Sequence, residues 1–282
     1  MSAAEEDTWT KRQIAEKCIE ISSHTLLEMG RILGHGKINE SRLEILLAAI
    51  VRTVNCSGAI QRLYADRPYS EEMNVLLRSL AEMVVTGMYL QIATEDEVES
   101  YRQFDSIMLS KSMRLANELI PGCTESIPET LREAFEKHAD EIRQQTNGVA
   151  SQTSWTKKDL HSRASAVDKT FGTDILQFLS RIVYAHGHYY THATFSSLTA
   201  TIDSFRTGAC DEVAIRNDAD FALFGTAQAL HVFAMSISLL KNVDGYEAHL
   251  ELVQDLLKQY NDAPSTVLPM EANRAKARLC TI

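Results

Sequence analysis

Apolar residues recur at steps of three and four along most of this chain, and no stretch longer than a few residues alternates with the period of two that a half-buried strand needs. Ile14, Cys18, Ile21, Leu26, Met29 and Leu33 form one stripe. Leu43, Leu46, Leu47, Ile50, Val51 and Val54 form a second, and Met73, Leu76, Leu77, Leu80, Val84 and Met88 a third. Only five prolines and twelve glycines occur in 282 residues, so little in the chain interrupts such stripes. The expected fold is all-α, a multi-helix bundle of about seven to nine helices.

Local signals place the boundaries. The first helix is expected from about Thr10 to Leu33, broken by Gly34, Gly36 and Asn39. Ser41 can cap the second, with Glu44 completing a capping box, and Arg67-Pro68 ends it. Ser70 opens the third, and Thr94 caps a fourth whose first turn is acidic, where the helix dipole favours negative charge. Pro121-Gly122 stops that helix, and a highly charged fifth follows over about 128–145. Residues 146–156 are small and polar and read as an internal linker. A short helix at DLHSRASAV precedes a long aromatic- and histidine-rich one over about 173–192. Residues 207–217 read as irregular, with room for a short hairpin; further helices begin near Asp218 and Tyr246. The expected organisation is a single helical domain over 1–263 and a C-terminal tail over 264–282, either mobile or clasping a partner.

Composition narrows the class of function. The chain is 45% hydrophobic and 23% charged, as a globular domain is, so disordered, collagen-like and disulfide-miniprotein readings fall away. Its net charge of −10 argues against non-specific binding to nucleic acid by bulk charge. Five scattered cysteines make no CxxC and read as reduced thiols of a cytoplasmic protein, without a structural zinc knuckle. The acidic start MSAAEEDTW does not read as a signal peptide. Phe221 to Leu240 carries no formal charge and is long enough to span a bilayer. Thr226, Gln228, His231, Ser236 and Ser238 lie within it, however, and it reads as a central helix buried on most sides, with no membrane partner.

Two polar groups interrupt the apolar stripes. Arg78 and Glu82 stand four apart within LLRSLAEMVVTGMYL, on one helix face and able to pair. Such a pair is either an exposed edge or a buried unit that needs further hydrogen bonds to offset desolvation. In the long helix, Arg181, Tyr184, His188 and His192 fall on one stripe, with His186 and Tyr190 beside it. His188 and His192 could present two imidazoles to a metal ion, given a third ligand such as Glu82 or an aspartate. The alternative is that these histidines hydrogen-bond across helices without metal. No HExxH, dinucleotide or P-loop motif is present, so no cofactor is expected.

The order RSLAEMVVTGMYL, YRQF, Trp155, Arg163-Ala164 and VYAHGHYYTHATFSSL resembles a bacterial all-helical family known only as a domain of unknown function. The resemblance spans roughly residues 40–240. It implies an all-helical fold and a shared cluster to which Arg78, Glu82, Tyr184 and His192 correspond. His188 departs from the family, which usually has serine there. The spacing of Arg181 and His186 is also similar to the R-x4-H pattern of the HEPN ribonucleases. That resemblance implies metal-independent RNA cleavage of a toxin or phage-defence type, in which the arginine and histidine polarise the phosphate and move protons. The polar residue usual after the arginine is Ile182 here. Five residues on a straight α-helix turn through about 140°, so the reading also needs Gly187 to help bend the helix.

Three readings stand at this point. The first is a binding or interaction protein with a buried Arg-Glu-Tyr-His cluster and no catalysis. The second is an RNA-cleaving protein using Arg181 and His186, as a homodimer across the long helix. The third is a metal-dependent protein using His188 and His192. All expect the Arg78–Glu82 and Tyr184–His192 stretches to be brought together.

Overall fold

A helix start leaves amide donors unsatisfied, and the chain satisfies them locally. The Thr10 hydroxyl accepts from the Gln13 amide while the Gln13 side chain accepts from the Thr10 N–H, and Thr94 and Glu97 repeat this reciprocal box. Asp159 accepts from the Ser162 amide at a third start. A computed structural model describes residues 9–35, 41–66, 70–120, 122, 127–145, 155–183 and 212–264. Among these residues the helices are α1 (Lys11–Gly34), α2 (Ser41–Asp66), α3 (Ser70–Ile92), α4 (Glu95–Leu119), α5 (Glu129–Gln145), α6 (Leu160–Phe171), α7 (Ile175–Phe178), α8 (Glu212–Lys241) and α9 (Glu247–Gln259). A π-helical turn, Leu179–Val183, follows α7. The chain is an all-α bundle of nine α-helices over the described residues, with no strand among them.

α3 and α8 form the centre. α2 packs on α3, α1 on α8 and α2, α6 on α3, and α9 on α1. α8 is buried on nearly every side, through Ala222, Leu223, Ala227, Leu230, Phe233 and Ile237 among others. Burying a side chain such as Phe233 contributes roughly 2–3 kcal/mol. Two glycines let the central helices approach. A Cβ on Gly225 would lie 2.8 Å from Leu77 Cδ2, and one on Gly87 would lie 3.0 Å from the Ala49 Cβ. Three helical spans, Ser41–Ala65, Ser70–Ile92 and Arg216–Lys241, are long and apolar enough to cross a membrane. The last two turn much of that surface onto other helices of the bundle.

Three expectations about elements change in the structure. Trp155 and Thr156, at the end of the expected linker, are buried. α8 begins at Glu212 rather than near Asp218. The long helix expected over 173–192 does not run as one α-helix: after α7 the backbone widens into the π-helical turn. There the Ser180 hydroxyl donates to the Gln177 carbonyl at 3.0 Å and so competes for a backbone acceptor. Residues 184–211, most of the expected tail and most of the expected linker lie outside the described residues.

Candidate functional site

The helical repeat of α3 puts Ser79, Glu82, Met83 and Thr86 along one face. Opposite them α2 presents Arg52, Asn55 and Cys56, and Tyr101, Trp155 and Arg163 close the far end. The space between is a cleft of about 650 Å³, within the range of small-molecule sites.

Arg163 is the fixed cation of this cleft. It is only 7% exposed, donates from Nη1 to the Thr86 hydroxyl at 2.7 Å, and holds its guanidinium carbon 5.2 Å from the centre of the Trp155 ring. Tyr101 meets the same indole edge-on at 5.1 Å between centroids. Arg52 on α2 and Glu82 on α3 are exposed at the cleft, and no ion pair joins them among the described residues. The cleft therefore offers a buried cation, a second, exposed cation, a carboxylate and an aromatic edge. Burial, only partly opposed by Arg52, pushes the Cys56 thiol up to about 11, and it donates to the Leu76 carbonyl.

A polar lock behind Trp155 holds this wall. Ser100 donates to the Trp155 carbonyl at 2.6 Å. Glu97, at the first turn of α4, accepts from Tyr89 at 2.7 Å, from Lys158 at 3.0 Å and from Thr156 at 3.1 Å. Desolvation pushes the Glu97 carboxyl up, but hydrogen bonds from Tyr89, Lys158, Thr94 and Thr156 outweigh it and bring it down to about 2. The Tyr89 phenol moves the other way, raised by burial and by its bond to the carboxylate. Residues 155–158 are thus pinned to α3 and α4.

Two of the expected cluster residues, Arg78 and Glu82, are described. Glu82 stands on the cleft, whereas Arg78 is half-buried on α3 outside its lining. Tyr184, His186, His188 and His192 lie outside the described residues. α3 does pack against the π-helical turn that leads to Tyr184. Arg181, on that turn, is exposed and donates to His161 Nε2 from Nε at 3.2 Å and from Nη2 at 2.8 Å. The other ring nitrogen of His161 is 3.1 Å from the Ser180 hydroxyl. Among the described residues, no group of three histidine, cysteine, aspartate or glutamate side chains is placed to hold a metal ion.

Thr86, Tyr101, Trp155 and Arg163 all belong to the motifs noted in the sequence, yet nothing in their spacing shows that they share a cleft. Arg52 belongs to none of these motifs. Its only signal is a charge set between Val51 and Val54 on an otherwise apolar stretch.

The sequence model of one family, described as a family of unknown function (DUF5677), matches residues 43–209. A relation to the HEPN ribonucleases is not shown. No curated protein and no solved structure matches the chain. The cleft residues from Arg52 to Arg163 lie inside the matched span.

Proposed function

The chain belongs to this family of unknown function, and from the cleft that the matched span builds we propose that it is a binding protein for a small planar organic anion. The single observation carrying this is the convergence of Arg52, Arg163 and Glu82 with the Tyr101–Trp155 pair on one cleft of about 650 Å³. Guanidinium groups suit carboxylate or phosphate through paired, charge-assisted hydrogen bonds. An aromatic edge favours a flat ring, and Glu82 can accept from an amino group on it. A mononucleotide is the simplest molecule with all three features. Charged hydrogen bonds at about 1.5–3 kcal/mol each, with one stacked ring, suit an affinity of about micromolar.

Trp9 and Trp155 are the two tryptophans of the chain, so Trp155 reports alone in a Trp9→Phe background. Adenosine monophosphate should quench it saturably, adenosine and inorganic phosphate much less. Arg52→Ala should weaken the nucleotide by about tenfold, the loss of one good charged contact. A flat titration with adenosine monophosphate and with benzoate, or an Arg52→Ala protein that binds as the parent does, would remove this reading.

A further inference from the structure

A second cavity, of about 350 Å³, lies against α8, between the start of α1, α7 and the end of α9. Asp220 forms part of its lining and is only 6% exposed. One oxygen of its carboxylate accepts from the Tyr64 hydroxyl at 2.7 Å, and the carboxylate has no other hydrogen bond among the described residues. A buried carboxylate with a single neutral donor is costly, and burial is what pushes this one up from its ordinary value. The charges of Lys11 and Arg216 offset this only in part. Lys11 also lines the cavity and holds its Nζ 5.6 Å from the centre of the Tyr260 ring, but it makes no ion pair with Asp220.

The rest of the lining sorts by chemistry. Phe224 stacks on Tyr260 at 4.1 Å, and Phe221 and the exposed Phe178 add two more rings. Asn217, Gln228 and Asn261 add amides to the same lining. A buried carboxylate, an ammonium, neutral amides and a set of rings match the two ends and the side chain of one kind of molecule.

We propose that this cavity binds an α-amino acid with an apolar side chain, its ammonium on Asp220, its carboxylate toward Lys11 and Asn261, and its side chain among the phenyl rings. A ligand carrying both charges relieves Asp220 without meeting Lys11 as a repelled cation. A plain amine meets that repulsion, and a plain acid leaves Asp220 unsatisfied. The site is independent of the arginine-lined cleft, since the two share no lining residue.

Calorimetric titration of the full chain tests this with three probes: L-phenylalanine, phenethylamine and phenylpropionate. L-Phenylalanine should bind at least about tenfold more tightly than either analogue, the contribution of one satisfied charge. Asp220→Asn keeps an acceptor for Tyr64 and should abolish the preference for L-phenylalanine over phenylpropionate. Phe178→Ala changes an exposed ring and leaves the fold intact, and it should weaken L-phenylalanine severalfold. No saturable heat with L-phenylalanine, equal binding of phenylpropionate, or wild-type affinity in both variants overturns the proposal.

Discussion

The Arg163 guanidinium lies 5.2 Å from the centre of the Trp155 ring while the same side chain donates to the Thr86 hydroxyl at 2.7 Å. Residues from α6, from the segment before it and from α3 are thereby tied at one buried cation. Neither partner can move without the other, which makes this wall of the cleft preformed. A ligand there meets a cation whose desolvation is already compensated within the fold.

Replacing Arg163 by alanine should therefore cost stability as well as binding. It removes a charged hydrogen bond and a buried cation–π contact and leaves the Thr86 hydroxyl without its donor, a loss of about 2–4 kcal/mol. Arg163→Lys keeps the charge but not the planar group that covers the indole, and should recover less than half of this. Urea unfolding followed by Trp155 fluorescence measures both. Unfolding midpoints equal to the parent's would show that the contact is incidental.

Glu97 should make the protein sensitive to acid. Its carboxyl is held at about 2 in the fold against about 4.5 ordinarily. The unfolded chain binds a proton through this window while the folded one does not. The stability contributed is thus complete above about pH 4.5 and is lost as the pH falls toward 2. Glu97→Gln should flatten that part of the profile and lower stability at neutral pH, where the Lys158 ammonium would face an uncharged partner. Thermal melts in steps of pH on both proteins decide it, and profiles of the same shape would contradict the assignment.

Much of the fold was legible because helical spacing and caps are local. Thr94 and its acidic first turn appear in the sequence as they do in the structure, and so do the stop near Pro121 and the apolar character of α8. The misplaced parts depend on distant partners. Trp155 reads as a residue of a polar linker because Ser100 and Tyr101, which hold it, are remote in sequence. The π-helical turn leaves no mark in the sequence because an α-helical stripe through Arg181 assumes the very geometry that Ser180 and Gln177 alter. The pairing of Arg78 with Glu82 followed from spacing alone. Only the packing of α3 against α2 and α6 shows that Glu82 faces a cleft and that Arg78 lies outside it.

Close approach at the bundle centre gives a packing prediction. A Cβ on Gly225 would sit 2.8 Å from Leu77 Cδ2, and Leu77 is fully buried, so its side chain must shift within the packed core. Gly225→Ala gains about 1 kcal/mol of helix propensity but loses about 1–3 kcal/mol to overpacking. The net change should be destabilising, and Leu77→Ala should relieve the clash, so that the pair costs less than the sum of the single changes. Strict additivity in a double-mutant cycle would place the strain elsewhere.

His231 is the last test, because it opposes the ordinary expectation for a histidine in a protein core. It is 5% exposed on α8, and its Nδ1 has no hydrogen-bond partner among the described residues. Desolvation brings it down to about 4, so it stays neutral in the fold while the unfolded chain titrates near 6.5. Between those values the unfolded state holds the extra proton, and stability must fall as the pH drops from about 6.5 to 4. His231→Leu removes both the titration and the unsatisfied buried nitrogen at similar volume. It should raise stability at pH 7 by about 1–2 kcal/mol, the cost of an unmade buried hydrogen bond, and it should abolish the slope in that window. If the leucine variant is less stable than the parent at neutral pH, the imidazole has a partner in the folded protein and the buried nitrogen is not a liability.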